Sequence, residues 1–212
     1  MRSFIITFFL TAIFSSFIAA QDSLVIPITS FNPAEFDEDA DGNKWQRLTL
    51  PKKDWTEYTL VTDGDTPHIK AVSNNSASGW KYLIDIDPIY ITYEYSRKDL
   101  PFGERIKYGT MKTFTSFDIP LRSMNYVWAN KAKIGRVQEN VFTNWVHMVA
   151  TESGNNKAGI WVTSTANVYE SYKEAFEEEP KNITGVAIMT DSDNSKGSAT
   201  AYYGNIVFKK KK

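Results

Sequence analysis

The chain has 212 residues, enough for one sizeable domain. Its 24 Lys and Arg against 25 Asp and Glu leave a net charge of -1, which supplies no basic stripe for nucleic acid and no acidic disordered tail. Cysteine is absent and histidine occurs twice, at His68 and His147, which excludes disulfides, thiol nucleophiles, Cys-based metal sites and a zinc centre built on several histidines.

Met1 to Ala20 reads as a secretory signal: Arg2 is its one charge, the run from Phe4 is broadly apolar, and Ile18-Ala19-Ala20 puts small residues before polar Gln21-Asp22. No later stretch is apolar enough to cross a bilayer. The expected product is an exported protein, periplasmic or secreted, with one domain over 21–208 and a Lys209–Lys212 tail that guards the edge of a last strand. Leu24 to Ile28 opens the mature chain as a short strand. Asp37, Asp39 and Asp41 before Gly42 copy the first half of a calcium loop. The twelfth position is Leu48, where a bidentate Glu is required, so an EF-hand is rejected and an irregular structural Ca2+ site is kept as an alternative to a hydrated acidic loop. No other cofactor is expected.

Period-two alternation then predicts strands at Trp45 to Leu50, Tyr58 to Val61 and His68 to Val72, the last two joined as a hairpin by the turn Thr62-Asp63-Gly64-Asp65. Further strands follow at Lys81 to Ile86, Ile89 to Tyr95, Ile106 to Phe117, Tyr126 to Trp128, Val141 to Val149, Ile160 to Val162, Val186 to Met189 and Tyr202 to Phe208. One helix interrupts them. Tyr169, Tyr172, Ala175 and Phe176 fall at three- and four-residue spacings, with Asn167 as N-cap and Pro180 as stop. The pattern predicts an all-β fold, an antiparallel β-sandwich of jelly-roll type with one short helix.

Among chemistry-bearing residues, Trp80, Trp128 and Trp145 are candidate platforms for the apolar faces of sugars, against core packing as the plainer role. Trp161 looks most like core. Asp191, Asp193 and Asn194 follow a predicted strand, where they either hold hydroxyls or a cation or close an Asx-turn. Glu94, between Tyr93 and Tyr95, is the candidate acid of a hydrolytic alternative, with Asp191 or Asp193 as its partner, against a plainer strand-face pairing with Arg97 or Lys81; a glycosidase needs two carboxylates about 5 to 10 Å apart. His147 is a further acid or base candidate and more plainly a packed strand residue. No nucleophile elbow, phosphate loop or dinucleotide fingerprint occurs.

Three segments in order, Asn125 to Asn130, Ile183 to Ser195 and Ala201 to Phe208, resemble a bacterial exported family, domain-of-unknown-function family 3047. Trp45, the Tyr58 to Ala71 hairpin and Ser76-Ala77-Ser78 resemble its N-terminal part, so the resemblance spans about Trp45 to Phe208. The family has no assigned activity, and its strand pattern implies a jelly-roll-like sandwich. This chain departs from the family pattern at Tyr93-Glu94-Tyr95 and Gly103-Glu104-Arg105, where a Trp-x-Trp strand and paired aspartates are usual. It departs again at Asn205, where an Asp is usual. The leading functional expectation is a non-catalytic glycan-binding module of the cell envelope; the alternatives are a glycoside-cleaving enzyme using paired carboxylates and a structural or partner-binding periplasmic protein.

Overall fold

A computed structural model describes residues 4–9, 25–29, 31, 45–50, 52–82, 92–93, 95–114 and 121–210. In chain order the elements are β1 (Phe4–Phe9), β2 (Val25–Thr29), β3 (Trp45–Thr49), β4 (Glu57–Asp63), β5 (Thr66–Asn74), β6 (Ala77–Tyr82), β7 (Thr92–Tyr93) and α1 (Phe102–Phe114). They continue with β8 (Ser123–Ala129), β9 (Val137–Asn140), β10 (Thr143–Ser153), β11 (Thr165–Asn167), α2 (Val168–Phe176), β12 (Ile183–Asp191), β13 (Ser198–Tyr203) and β14 (Asn205–Lys210). The described chain is therefore mostly β, in antiparallel ladders with two α-helices. It divides into two compact units, one of Met1–Ser30, Met124–Pro180 and Gly204–Lys212, the other of Phe31–Ser123 and Lys181–Tyr203.

In the second unit β6 lies between β3 and β12, with Arg47 opposite Trp80 on one side and Ile188 opposite Trp80 on the other. β12 shows the alternation that the sequence predicts: Val186, Ile188 and Thr190 are buried while Ala187, Met189 and Asp191 face out. β5 pairs with β4 and with β13. The expected hairpin is present, and Gly64 supplies its left-handed turn residue at φ 58°. A buried hydroxyl chain joins these strands. Thr56 Oγ1 donates to the Thr190 carbonyl at 2.9 Å, Ser73 Oγ lies 2.7 Å from Ser192 Oγ, and the Tyr58 hydroxyl donates to the Ser78 carbonyl at 2.6 Å. Each bond satisfies a polar group that burial would otherwise penalise.

The expected strand from Ile106 is instead α1. Pro101 precedes the first helical residue, its carbonyl accepts the Arg105 N–H at 3.0 Å, and Glu104 sits in the first turn, where the helix dipole favours a carboxylate. Alternation of Tyr108 and Thr110 carries little weight on a helix, where the two are not on one face although Tyr108 is buried and Thr110 exposed. Just before it, Ser96 and Asp99 form a reciprocal capping box.

In the first unit β14 lies between β1 and β2, and β1 also pairs with β11. Phe4–Phe9 of the expected signal segment thus forms β1; the rest of that segment lies outside the described residues. Lys209 of β14 stands opposite Ile5 of β1 on one side and Val25 of β2 on the other, and Lys211 and Lys212 of the expected tail lie outside the described residues. The run expected as one strand from Tyr202 to Phe208 is two strands broken at Gly204, and that from Val141 to Val149 begins in the turn of the β9–β10 hairpin. Ile160 to Val162 is loop, with Trp161 half-buried. The predicted helix is present as α2. Asn167 Oδ1 accepts the Glu170 N–H at 3.2 Å, and Tyr172 is fully buried. Phe176 meets His147 of β10 edge to face, centroids 4.5 Å apart. No helix among the described residues is long and apolar enough to cross a membrane.

Candidate functional site

Of the three tryptophans expected to meet sugars, two are core. Trp145 is 0% exposed on β10 and Trp80 2% exposed on β6, so neither presents a ring face to a ligand. Trp80 lies in an aromatic cluster with Trp45, Trp55 and Tyr58 at centroid distances of 6.5, 6.1 and 6.2 Å, and the Arg47 guanidinium stands 4.7 Å from the Trp55 ring centre. The platform role is withdrawn for both because a sealed indole has already spent its surface on packing.

Trp128 is 47% exposed near the end of β8. Three bonds fix its setting: Thr151 Oγ1 donates to the Val127 carbonyl at 3.3 Å, the Gly154 N–H to the Ala129 carbonyl at 2.9 Å, and the Trp128 indole N–H to the Gly154 carbonyl at 2.8 Å. Gly154 has φ 71°, a left-handed conformation that side chains with a Cβ rarely adopt. The loop that follows is clamped to β10, since the Lys157 ammonium donates to both carboxylate oxygens of buried Glu152 at 2.8 and 3.0 Å. A second loop, 130–136, is tied to the same end of β10. The Gly135 N–H donates to the Ala150 carbonyl at 2.8 Å, and the Ala150 N–H donates to the Arg136 carbonyl at 3.2 Å.

These two loops expose Asn130, Lys131, Lys133, Ile134 and Arg136 on one side and Asn155, Asn156, Lys157 and Ile160 on the other. Trp128 is thus a held, half-exposed indole, and the loops tied to its strand carry exposed amides, cations and two exposed aliphatic side chains, at 54% for Ile134 and 64% for Ile160. Sequence reasoning found Trp128 but missed the Glu152–Lys157 clamp and the basic loop. The available signals were the Gly154-Asn155-Asn156 turn and the density of cations from Lys131 to Arg136.

The acidic cluster after β12 is built differently from a paired-carboxylate site. Asp191 Oδ1 accepts the Asp193 N–H at 3.0 Å, the Asx-turn weighed from sequence. Asp193 pairs with Lys53, and Asn194 lies in the single 3-10 turn Asp193–Ser195 that ends in left-handed Lys196 at φ 51°. Although Asp191 faces out, partial loss of water around its carboxyl raises it above its ordinary range, opposed by the Lys53 charge. Close by, burial pushes the Tyr203 phenol up to about 12, while its hydroxyl donates to the Met189 carbonyl at 2.6 Å. Burial, and after it the neighbouring Tyr203, also raises Tyr58. One carboxylate is thus committed to a lysine and the other to a turn. Glu94, Asp37, Asp39 and Asp41 lie outside the described residues, and among the described residues no group of three His, Asp or Glu is placed to hold a metal ion. His147 is buried on β10 against Phe176, the packed strand position weighed from sequence.

A family described as Protein of unknown function (DUF3047) matches residues 88–207, more than half of the chain. The match spans Trp128 with both of its loops and the whole Asp191–Asn194 turn, and it begins well after Trp45. Neither the curated proteins nor the solved structures contain a match to this chain.

Proposed function

The chain belongs to the DUF3047 family of proteins of unknown function, and from that footing we propose that it is a non-catalytic glycan-binding module, exported to the periplasm or beyond, with Trp128 as its platform. A single observation carries the reading: Trp128 presents about half its surface to solvent while its N–H is held by the Gly154 carbonyl. A ring locked in place loses little freedom when a sugar lays its C–H face on it, so less of the contact energy goes into ordering. The exposed amides of Asn130, Asn155 and Asn156 supply donors and acceptors for hydroxyls around the ring. The stacked-sheet, jelly-roll arrangement belongs to this proposal, as does export, which is supported by the pattern of Met1 to Ala20.

The test is a polysaccharide-binding panel with wild type, Trp128→Ala and Trp128→Phe. Binding to at least one glycan, lowered tenfold or more by the alanine and less by the phenylalanine at unchanged urea midpoint, supports the reading. A panel with no binder, or an alanine variant that binds like wild type, overturns it.

A further inference from the structure

The loops around Trp128 carry a charge that the chain as a whole does not. From Met124 to Arg136 the sequence holds Lys131, Lys133 and Arg136 and no acid. From Met148 to Ser164 it holds one cation, Lys157, and one acid, Glu152, which neutralise each other in the clamp. Three positive charges therefore stand in excess on a protein of net charge -1. Lys131, Lys133 and Arg136 are exposed, and none forms an ion pair among the described residues.

We infer that this end of the first unit selects anionic glycans, polysaccharides whose sugars carry carboxylate or sulfate groups. The inference rests on the glycan-binding reading above and adds the ligand's charge. A neutral sugar can use the Trp128 ring and the amides but leaves the three cations in water. An acidic sugar uses the same ring and can bring its anion to the exposed cations carried by the loop that follows β8. Arg136 adds a planar fork suited to a carboxylate or sulfate. Each exposed pairing is weak, and the three together give a preference of roughly tenfold over a neutral chain.

An anionic bilayer offers the same charge, and Ile134 and Ile160 offer apolar contact, but the surface fits it less well. Asn130, Asn155 and Asn156 stand exposed on the same loops. Insertion would strip water from their amides without returning partners, whereas sugar hydroxyls replace that water bond for bond.

The experiment measures binding of the full chain to polygalacturonate, heparin, neutral dextran and vesicles of phosphatidylcholine with phosphatidylglycerol, at about 0.05 M and about 0.5 M salt, where the screening length shortens several-fold. A Lys131→Gln, Lys133→Gln, Arg136→Gln triple variant is run beside Trp128→Ala. The inference predicts that an acidic polysaccharide binds about tenfold or more tighter than dextran at low salt and loses that advantage at high salt. The triple variant abolishes the preference at unchanged urea midpoint, and the polygalacturonate and heparin arms separate carboxylate from sulfate recognition. Equal binding of dextran and both acidic chains overturns the inference and leaves the glycan reading standing. Binding to no polysaccharide overturns both, as does binding to the vesicles alone.

Discussion

Removing the Lys157 ammonium should weaken the protein more than neutralising the Glu152 carboxylate it holds. Glu152 is buried, and both of its oxygens accept from Lys157, at 2.8 and 3.0 Å. Stripping one partner from a fully buried pair costs about 3–5 kcal/mol because a charge is left without compensation. Here the Lys157 side chain is 50% exposed, so water partly replaces it, and the discounted cost of Lys157→Ala is about 2 kcal/mol. Glu152→Gln keeps the shape and one acceptor and removes the buried charge, at about 1 kcal/mol. In the double variant no charge is left stranded, so its loss should stay near 1 kcal/mol instead of the sum of about 3. With a urea slope of about 2 kcal/mol per molar, Lys157→Ala lowers the midpoint by about 1 M and the double variant by about 0.5 M. Urea titration followed by tryptophan fluorescence reads all four proteins. The same clamp fixes the loop that holds Trp128, so Lys157→Ala should also red-shift that indole's emission in native buffer, read with the other tryptophans as a common background. Strict additivity of the two substitutions, or a Lys157→Ala protein as stable as wild type, would refute the account of Glu152 as a buried charge dependent on its lysine.

Trp145→Ala, at a site with 0% exposure, should cost about 3–5 kcal/mol in chemical denaturation; a loss under about 1 kcal/mol would show that the ring is not core. Asp191→Asn keeps the Oδ1 acceptor of the turn but removes a carboxyl whose folded pKa lies above its unfolded value. Such a group binds its proton more tightly when folded, so it withdraws stability as pH rises through its titration. The variant should therefore melt higher than wild type at pH 7 and converge with it in acid, and a lower melting temperature at pH 7 would contradict the shift. Tyr203, pushed up to about 12 against an ordinary 10, stabilises the fold fully below pH 10 and loses that contribution as pH climbs toward 12. Wild type should lose about 1.4 kcal/mol per pH unit more than Tyr203→Phe across that window, and parallel slopes in urea titrations at pH 9 to 11.5 would count against it.

The helix and the turns show what short-range pattern carries. Tyr172 and Phe176 four residues apart, an Asn before them and a Pro after them are local facts of the chain, and α2 with its Asn167 cap follows from them. The Gly64 hairpin is equally local. α1 is not legible as a helix in the sequence because its stripe is poor: Phe102 and Ile106 are exposed, so the spacing that marks a buried helical face is absent, and only Pro101 and Glu104 mark its start. The tryptophans show the opposite limit. Trp80, Trp128 and Trp145 sit in similar strand-like surroundings, and alternation says only which neighbours share a face.

By itself, then, the sequence determined a mainly antiparallel β chain with α2 and a glycine-turned hairpin, because turns, caps and side-chain alternation act over a few residues. Only the tertiary structure decided which indole stays open, which carboxylate is spent on Lys53, and that Lys157 closes back on Glu152. Those outcomes depend on contacts between segments far apart in the chain, where burial and pairing are settled by what packs opposite and not by what stands next in line.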